Sequence, residues 1–280
     1  MNSVKLFVAA IGWAVAAAAA PAAAAVIGAT VADGSSGDYT LTSVSVTRGG
    51  AGTFTYVPSQ LTGVDLTDVA AFATPLLVPG NNASLPAPGT RATLLEDGRL
   101  DSGVIEPFST AGATLDSFEV TFLNPVVNSV GEDILVFDIG GLETTFFYIN
   151  NDDSQAGNAS SPQRVDAADF ATNLLQVNYS LFAYDNAGDQ NVNDLAELES
   201  SVGYTFSSNG TGVGVSAVGL DLSDFGVASG GTISSIRFQG VSGRIDPVFI
   251  AGLPAVPEPT GLALLGLGGT LLLRRKRLFM

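Results

Sequence analysis

Carboxylate and amide side chains are the residues of this sequence best suited to chemistry, and they crowd most closely in residues 184–199, YDNAGDQNVNDLAELE. Ca²⁺ binds about six to eight oxygen ligands, which carboxylates and amides can supply. We therefore predict a Ca²⁺-binding loop in this stretch. Its candidate ligands are Asp185, Asp189, Asn191 and Asn193.

This stretch does not follow the EF-hand register. Counting from Asp189, the sixth position is Asp194, where that motif has Gly, and the twelfth is Ser200, where it has Glu. Counting from Asp185, the third position is Ala187, whose side chain carries no ligand atom. A loop of another geometry is therefore the cation-binding hypothesis, and a solvated polar loop is the alternative.

A second polar cluster, INNDDSQAGN at 149–158, contains the candidate cation ligands Asp152 and Asp153. The alternative for this cluster is an exposed hairpin loop that follows an aromatic strand. A weak internal pattern also repeats pairs of Asp residues, which we interpret as caps of turns rather than as cation sites. These pairs are Asp65 with Asp68, Asp166 with Asp169, and Asp221 with Asp224.

The residue types that are missing limit the possible enzymes. The chain has no His and no Cys, and its lysines, Lys5 and Lys276, lie in the terminal segments. A Ser-His-Asp triad, a Cys nucleophile, an ordinary zinc site and a Ser-Lys dyad are therefore excluded from the middle of the chain. A glycosidase that uses two carboxylates remains possible. Its densest candidates are Glu96, Asp97, Asp101, Glu132 and Asp133.

Neighbouring residues of a regular strand point to opposite faces, so we expect Glu132 and Asp133 not to face one substrate. We therefore predict that the protein is not an enzyme. A carbohydrate-binding module is a second alternative, although the single tryptophan, Trp13, lies in the N-terminal segment and most tyrosines fall in strand patterns. Arg237 and Arg244 would suit either acidic sugars or aspartate partners.

The charge of the chain is strongly acidic outside its terminal segments. Residues 26–259 carry six arginines and all 27 acidic residues, a net charge of −21. Such a segment should be soluble, repel nucleic acid and attract divalent cations. Because it has no Cys, its stability must come from a packed core rather than from disulfides.

Hydrophobic periodicity predicts an all-β fold. Short β-branched and aromatic runs are separated by Gly, Asn, Asp, Ser and Pro, which is typical of a sandwich or barrel. In YTLTSVSVT, at 39–47, the inward set is Leu41, Val44 and Val46. Residues 74–90, with four prolines, are predicted to form a loop or the boundary between an N-terminal hairpin layer and the main sandwich. The best short helical candidates are 65–73 and 193–201. The other predicted strands are 53–57, 117–122, 133–139, 144–149, 174–184, 202–206, 212–222, 232–238 and 246–253.

The N-terminal segment has the features of a secretory signal peptide. One cation, Lys5, precedes an apolar stretch, and small residues lead to an Ala-x-Ala site that ends at Ala25. A permanent membrane helix is the alternative. We predict a signal peptide at 1–25 and an exported domain at 26–254.

The C-terminal segment, 255–280, contains the motif Val256, Pro257, Glu258 and Pro259 directly after Ala255, and continues with 14 uncharged residues, 260–273. A helix of 14 residues is about 21 Å long, against a hydrocarbon core of about 30 Å, which makes it a poor permanent anchor. Its four glycines weaken the helix further. The basic residues that follow would remain in the cytoplasm. They are Arg274, Arg275, Lys276 and Arg277.

This order of motif, apolar span and basic cluster resembles the PEP-CTERM sorting signal of bacterial envelope proteins. The resemblance implies that an exosortase, a membrane enzyme, recognises the Pro-Glu-Pro motif and processes the tail. The segments EDILVFDIGG, LDLSDFGVASGGTISSIRFQG and DPVFIAGL, at 132–141, 220–240 and 246–253, also resemble exported galactose-binding-like domains. That second resemblance implies a jelly-roll β-sandwich with ligand loops at one end.

Together these features predict an exported, non-catalytic protein of the cell surface or extracellular matrix, structural or adhesive, with loops stiffened by Ca²⁺. Its expected partners are an exosortase-type enzyme, the membrane through the C-terminal segment, and extracellular polysaccharide. A carbohydrate-binding module and a carboxylate glycosidase are the alternatives.

Overall fold

The computed structural model describes residues 25–33, 39–69, 76–80, 106–107, 117–139, 145–149, 163–185, 196, 200, 203–240 and 247–256. These residues are mostly β-strand, and their strands form antiparallel sheets of three, five and six strands. The all-β class expected from the sequence is confirmed.

The three-stranded sheet, here called the hairpin sheet, has the order β1-β2-β3. On its inward face, Val44 and Val46 are buried as the alternation predicts, and Leu41 is buried with them because a register shift between β1 and β2 separates it from Ser43. Its opposite face is lined with hydroxyl groups, and those of Ser45 and Thr55 lie 2.8 Å apart. Its strands are β1 (Ala25–Asp33), β2 (Tyr39–Arg48) and β3 (Gly52–Tyr56).

The five-stranded sheet, here called the outer sheet, has the order β10-β9-β13-β7-β4, and the six-stranded central sheet has the order β14-β8-β12-β11-β5-β6. The chain passes repeatedly between these two sheets. The outer strands are β4 (Val64–Val69), β7 (Ser117–Val127), β9 (Thr145–Ile149), β10 (Gln163–Val165) and β13 (Thr232–Gly240). The central strands are β5 (Leu76–Gly80), β6 (Glu106–Pro107), β8 (Ile134–Ile139), β11 (Ala171–Asp185), β12 (Gly203–Leu220) and β14 (Pro247–Gly252).

Strand β8 shows how the layers pack, because its run of apolar residues is buried on both sides. Ile134 and Val136 belong to a hydrophobic cluster shared with the outer sheet. Leu135 and Phe137 belong to a second cluster, shared with the hairpin sheet. The central sheet therefore lies between the other two at this strand.

Several local predictions are wrong. Residues 65–73 were a helical candidate, but 64–69 form β4, in which Leu66 is buried and Thr67 is exposed. Pairing with β7 outweighs the apolar spacing that suggested a helix. Residues 76–80 form β5 within the expected loop, and 203–220 form one long strand where two were predicted.

Two further expectations concern helices. Ala196 and Ser200, the described residues of the candidate at 193–201, are helical. Within the described part of the chain, no helix combines the length and apolar character needed to cross a membrane. The predicted signal peptide up to residue 24 and the apolar span at 260–273 lie outside the described residues.

Candidate functional site

A buried ion pair lies where the three sheets meet the C-terminal end of the described chain. Arg48, the last residue of β2, and Asp133, just before β8, are both fully buried. Arg48 Nη2 lies 2.9 Å from Asp133 Oδ1. Because burying an unpaired charge is costly, each residue makes the burial of the other tolerable.

Asp133 connects three segments through its hydrogen bonds. Its carboxylate accepts from Arg48, from the backbone N–H and hydroxyl of Ser129 at 3.0 and 2.9 Å, and from the Leu222 N–H at 3.2 Å. Its own N–H donates to Leu220 O at 2.8 Å. The β7–β8 connection and the end of β12 are thus fixed to one side chain.

The second nitrogen of the Arg48 guanidinium holds the C-terminal end of the described body. Arg48 Nη1 donates to Pro254 O at 2.6 Å, with the Tyr56 hydroxyl 3.4 Å away. The Leu253 N–H donates to Asp133 O at 2.7 Å. Leu253 is buried and Pro254 is exposed, so the chain leaves the body between them. We call residues 253–256 the exit segment.

A glycine allows the close approach that this arrangement requires. Gly131 has a φ of +75°, and a Cβ atom there would lie 2.8 Å from the Arg48 backbone Cα. The β7–β8 connection can therefore pack against the end of β2 only without a side chain at this position. We call the contacts of Arg48 with Asp133, Ser129, Pro254 and Tyr56, seated on Gly131, the Arg48 joint.

Acidic side chains next to the joint have raised pKa values. Burial raises the pKa of Asp133 to about 6, against the opposing effect of the Ser129, Leu222 and Arg48 donors. Burial also raises the pKa of Glu132, and the negative charge of Asp221 adds to the rise. Glu132 Oε2 is buried with no hydrogen-bond donor among the described residues, which favours the protonated form. The pKa of Asp224 is raised by burial and by Asp221.

Glu132 and Asp133 do not lie in a strand, although the sequence predicted a strand that included Asp133. Strand β8 begins at Ile134, so both acids precede the strand, and both are buried. The strand predicted at 133–139 thus begins one residue later, and alternation along a strand does not apply to these two acids. The Asp133 carboxylate accepts hydrogen bonds from Arg48, Ser129 and Leu222.

The predicted Ca²⁺ ligands lie almost entirely outside the described residues. Only the backbone of Asp185 is described, and it pairs with Gly203 at the start of β12. The positions that flank residues 186–202, Asp185 of β11 and Gly203 of β12, are thus paired with each other. The candidates outside the described residues are Asp152, Asp153, Asp189, Asn191 and Asn193.

The paired Asp residues elsewhere occupy turns and a strand. Asp169 Oδ2 accepts the Asp166 N–H at 2.8 Å, and Asp221 Oδ1 accepts the Ser223 N–H at 2.8 Å, as expected of turn caps. Asp65 and Asp68 lie in β4 instead. No group of three metal-binding side chains occurs among the residues that the structure describes.

Of the predicted terminal signals, Ala25, Ala255 and Val256 are described. Ala25, the predicted cleavage position, is the first residue of β1, and Val256, the first residue of the motif, is the last described residue of the exit segment. Outside the described residues lie Pro257, Glu258, Pro259, Arg274, Arg275, Lys276 and Arg277.

Arg48 is not among the residues predicted from the sequence, although the alternation in β2 carries a signal for it. Val44 and Val46 point inwards, so the next position of the same parity in β2 is Arg48. A charged residue at an inward position requires a buried partner. Arg237, which was considered for acidic sugars or Asp, contacts Glu119 at 3.1 Å across the outer sheet.

Comparison of the chain with models of protein families, with curated proteins and with solved structures finds no match.

Proposed function

We propose that the chain is an exported, non-catalytic protein of the cell surface or extracellular matrix, structural or adhesive, and sorted by its C-terminal segment. A secretory signal at 1–25, an acidic body at 26–254 and a PEP-CTERM-like signal at 255–280 support this proposal. The body is a jelly-roll-like β-sandwich in this proposal, because the chain crosses repeatedly between the central and outer sheets.

The position of the exit segment is the observation that carries the proposal. The last residue held by the Arg48 joint is Pro254, and the sorting motif begins two residues later, at Val256. From Pro254 to Thr260, the first residue of the apolar span, a fully extended chain covers at most about 20 Å. A membrane enzyme that acts on the motif would therefore meet it between the bilayer and a folded body.

The acidic residues around the joint support a structural role. The carboxylate of Asp133 is fixed by donors from three segments, and Glu132 is buried beside it. Neither carboxylate is placed to act on a bulky substrate, because both are enclosed. We therefore propose that the body works by binding or by structure rather than by catalysis.

The intact mass of protein recovered from the cell surface tests the sorting proposal. We expect wild-type protein to lack the mass of the tail and the Glu258→Ala variant to retain it. Glu199→Ala, which removes the same charge outside the motif, should be processed like wild type. A full-length C-terminus in all three proteins would contradict the proposal and would make the tail an anchor.

A further inference from the structure

We infer that Arg48 is a positioning residue for the C-terminal tail: its guanidinium fixes the exit segment only after the hairpin sheet has closed on the central sheet. The inference rests on the proposed sorting function for its consequence in cells. Its structural part, that Arg48 holds the exit, stands on the contacts alone.

The two terminal nitrogens of the Arg48 guanidinium donate hydrogen bonds to different parts of the protein. Nη2 serves the body, through Asp133 Oδ1 at 2.9 Å and Ser129 Oγ at 2.6 Å. Nη1 donates to the exit segment, at Pro254 O, over 2.6 Å. A planar guanidinium presents these two nitrogens in a fixed geometry, so the position of the body sets the position of the exit.

The exit segment is held by hydrogen bonds on both sides of the Leu253–Pro254 peptide bond. The Leu253 N–H donates to Asp133 O, and the carbonyl of the following residue, Pro254, accepts from Arg48. Proline has no N–H, so this carbonyl is its one backbone hydrogen-bonding group. Loss of Arg48 Nη1 would leave residue 254 without its described backbone bond and would free the chain immediately before the motif.

The contact between Arg48 and Pro254 can form only after other parts of the fold are in place. Arg48 belongs to β2, while Pro254 lies 206 residues later and beyond the last strand. Its side chain reaches the exit only when Leu41, Val44 and Val46 pack on Phe137 and Phe249 of the central sheet. Arg48 can therefore hold the C-terminal tail only after the hairpin sheet has packed on the central sheet.

Amide hydrogen exchange on the full-length chain tests the structural part. We expect Arg48→Lys to accelerate exchange of the Leu253 N–H by about tenfold or more, and that of Ile236 in the outer sheet much less. Lysine keeps the charge but cannot bridge Asp133 and Pro254 with a rigid fork. Equal acceleration of both amides would reveal general destabilisation, and no acceleration would show that Arg48 does not hold the exit. Either result overturns the inference.

A second variant guards against the failure of Arg48→Lys to fold. The double substitution Arg48→Met with Asp133→Asn removes both charges, and the Asn side-chain oxygen can still accept the Ser129 N–H, so fewer buried donors lose their acceptor than with an apolar residue. We expect this variant to keep its melting temperature within a few degrees while Leu253 exchange is accelerated. Arg237→Met is the matched control, since it removes another ion pair, to Glu119, without touching the exit. Normal protection of Leu253 in the double variant would overturn the inference.

Processing in cells tests the consequence. We expect the double variant to show a lower fraction of processed protein than Arg237→Met at the same melting temperature. If the double variant and Arg237→Met are processed to the same extent while Glu258→Ala remains unprocessed, Arg48 does not influence processing of the tail, and this part of the inference is overturned. If Glu258→Ala has no effect on the mass, the sorting proposal fails instead, and the exchange result still decides whether Arg48 fixes the exit.

Discussion

Arg48 and Pro254 lie 206 positions apart in the chain, yet Arg48 Nη1 donates a hydrogen bond of 2.6 Å to Pro254 O. The same guanidinium pairs with the buried Asp133. The end of the first sheet and the end of the described body are therefore joined through one side chain.

Removal of Arg48 should be strongly destabilising. Arg48→Ala leaves Asp133 buried without its counter-charge, and loss of one member of such a pair costs about 3–5 kcal/mol. Urea unfolding should show this loss in the free energy of unfolding. Arg164→Ala, which breaks the exposed pair with Asp166, should cost less than about 1 kcal/mol. Equal losses of unfolding free energy in the two variants would show that burial of the Arg48–Asp133 pair does not raise the cost of breaking it.

The close approach at Gly131 should make it more sensitive than another glycine of the same conformation. Gly131 and Gly230 have φ values of +75° and +77°, but a Cβ meets the Arg48 backbone only at Gly131. Gly230→Ala should therefore cost about 1–2 kcal/mol from conformation alone. Gly131→Ala should cost clearly more in thermal unfolding. A smaller loss at Gly131 would contradict the packing of the joint.

Stability should increase as the pH falls from 7.5 towards 5. Raised carboxyl pKa values mean that the folded state binds more protons than the unfolded state, so stability is lost as the pH rises from the ordinary pKa to the raised one. For Asp133 this window is 3.8 to about 6. The melting temperature should thus be higher at pH 5 than at pH 7.5.

Glu132→Gln isolates one part of this pH dependence. The amide removes a buried charge that Asp221 repels, so the variant should melt higher than wild type at pH 7.5 and show a flatter pH profile. Asp169→Asn, which removes an exposed acid, is the control for net charge. A lower melting temperature for Glu132→Gln at pH 7.5 would mean that the ionised form is stabilised.

Calcium should stabilise the protein if residues 186–202 bind it. With a Kd of about 0.1–1 mM, as in extracellular modules, 5 mM Ca²⁺ would add about 1–2 kcal/mol, or roughly 2–8 °C in melting temperature. Asp189→Ala should abolish the shift, whereas Asp169→Ala should not. An unchanged melting temperature in wild type would remove Ca²⁺ from the proposal.

The sequence predicts the fold class well because alternation follows directly from strand geometry. Val44 and Val46, two residues apart, are both buried as strand geometry requires. The prediction fails for 65–69, where the apolar spacing also fits a helical turn and only pairing with β7 decides. Layering is not predictable from periodicity, because a strand buried on both faces, such as β8, has no alternation.

The candidate site is predictable only in part. The position of Arg48 on the inward face of β2 follows from Val44 and Val46, so its burial could have been inferred. Its partners could not, because Asp133 and Pro254 are 85 and 206 residues away and come together only through sheet packing. Local pattern carries no information on contacts at that separation.

The bond between Arg48 and the Pro254 carbonyl is the contact on which the account depends, and NMR can detect it directly. In isotopically labelled protein we predict slowly exchanging Arg48 Hη protons and a scalar coupling across the hydrogen bond from Nη1 to the Pro254 carbonyl carbon. Asp133→Asn should weaken both signals. Fast-exchanging Hη protons and no coupling in wild type would contradict the claim that Arg48 holds the exit of the chain.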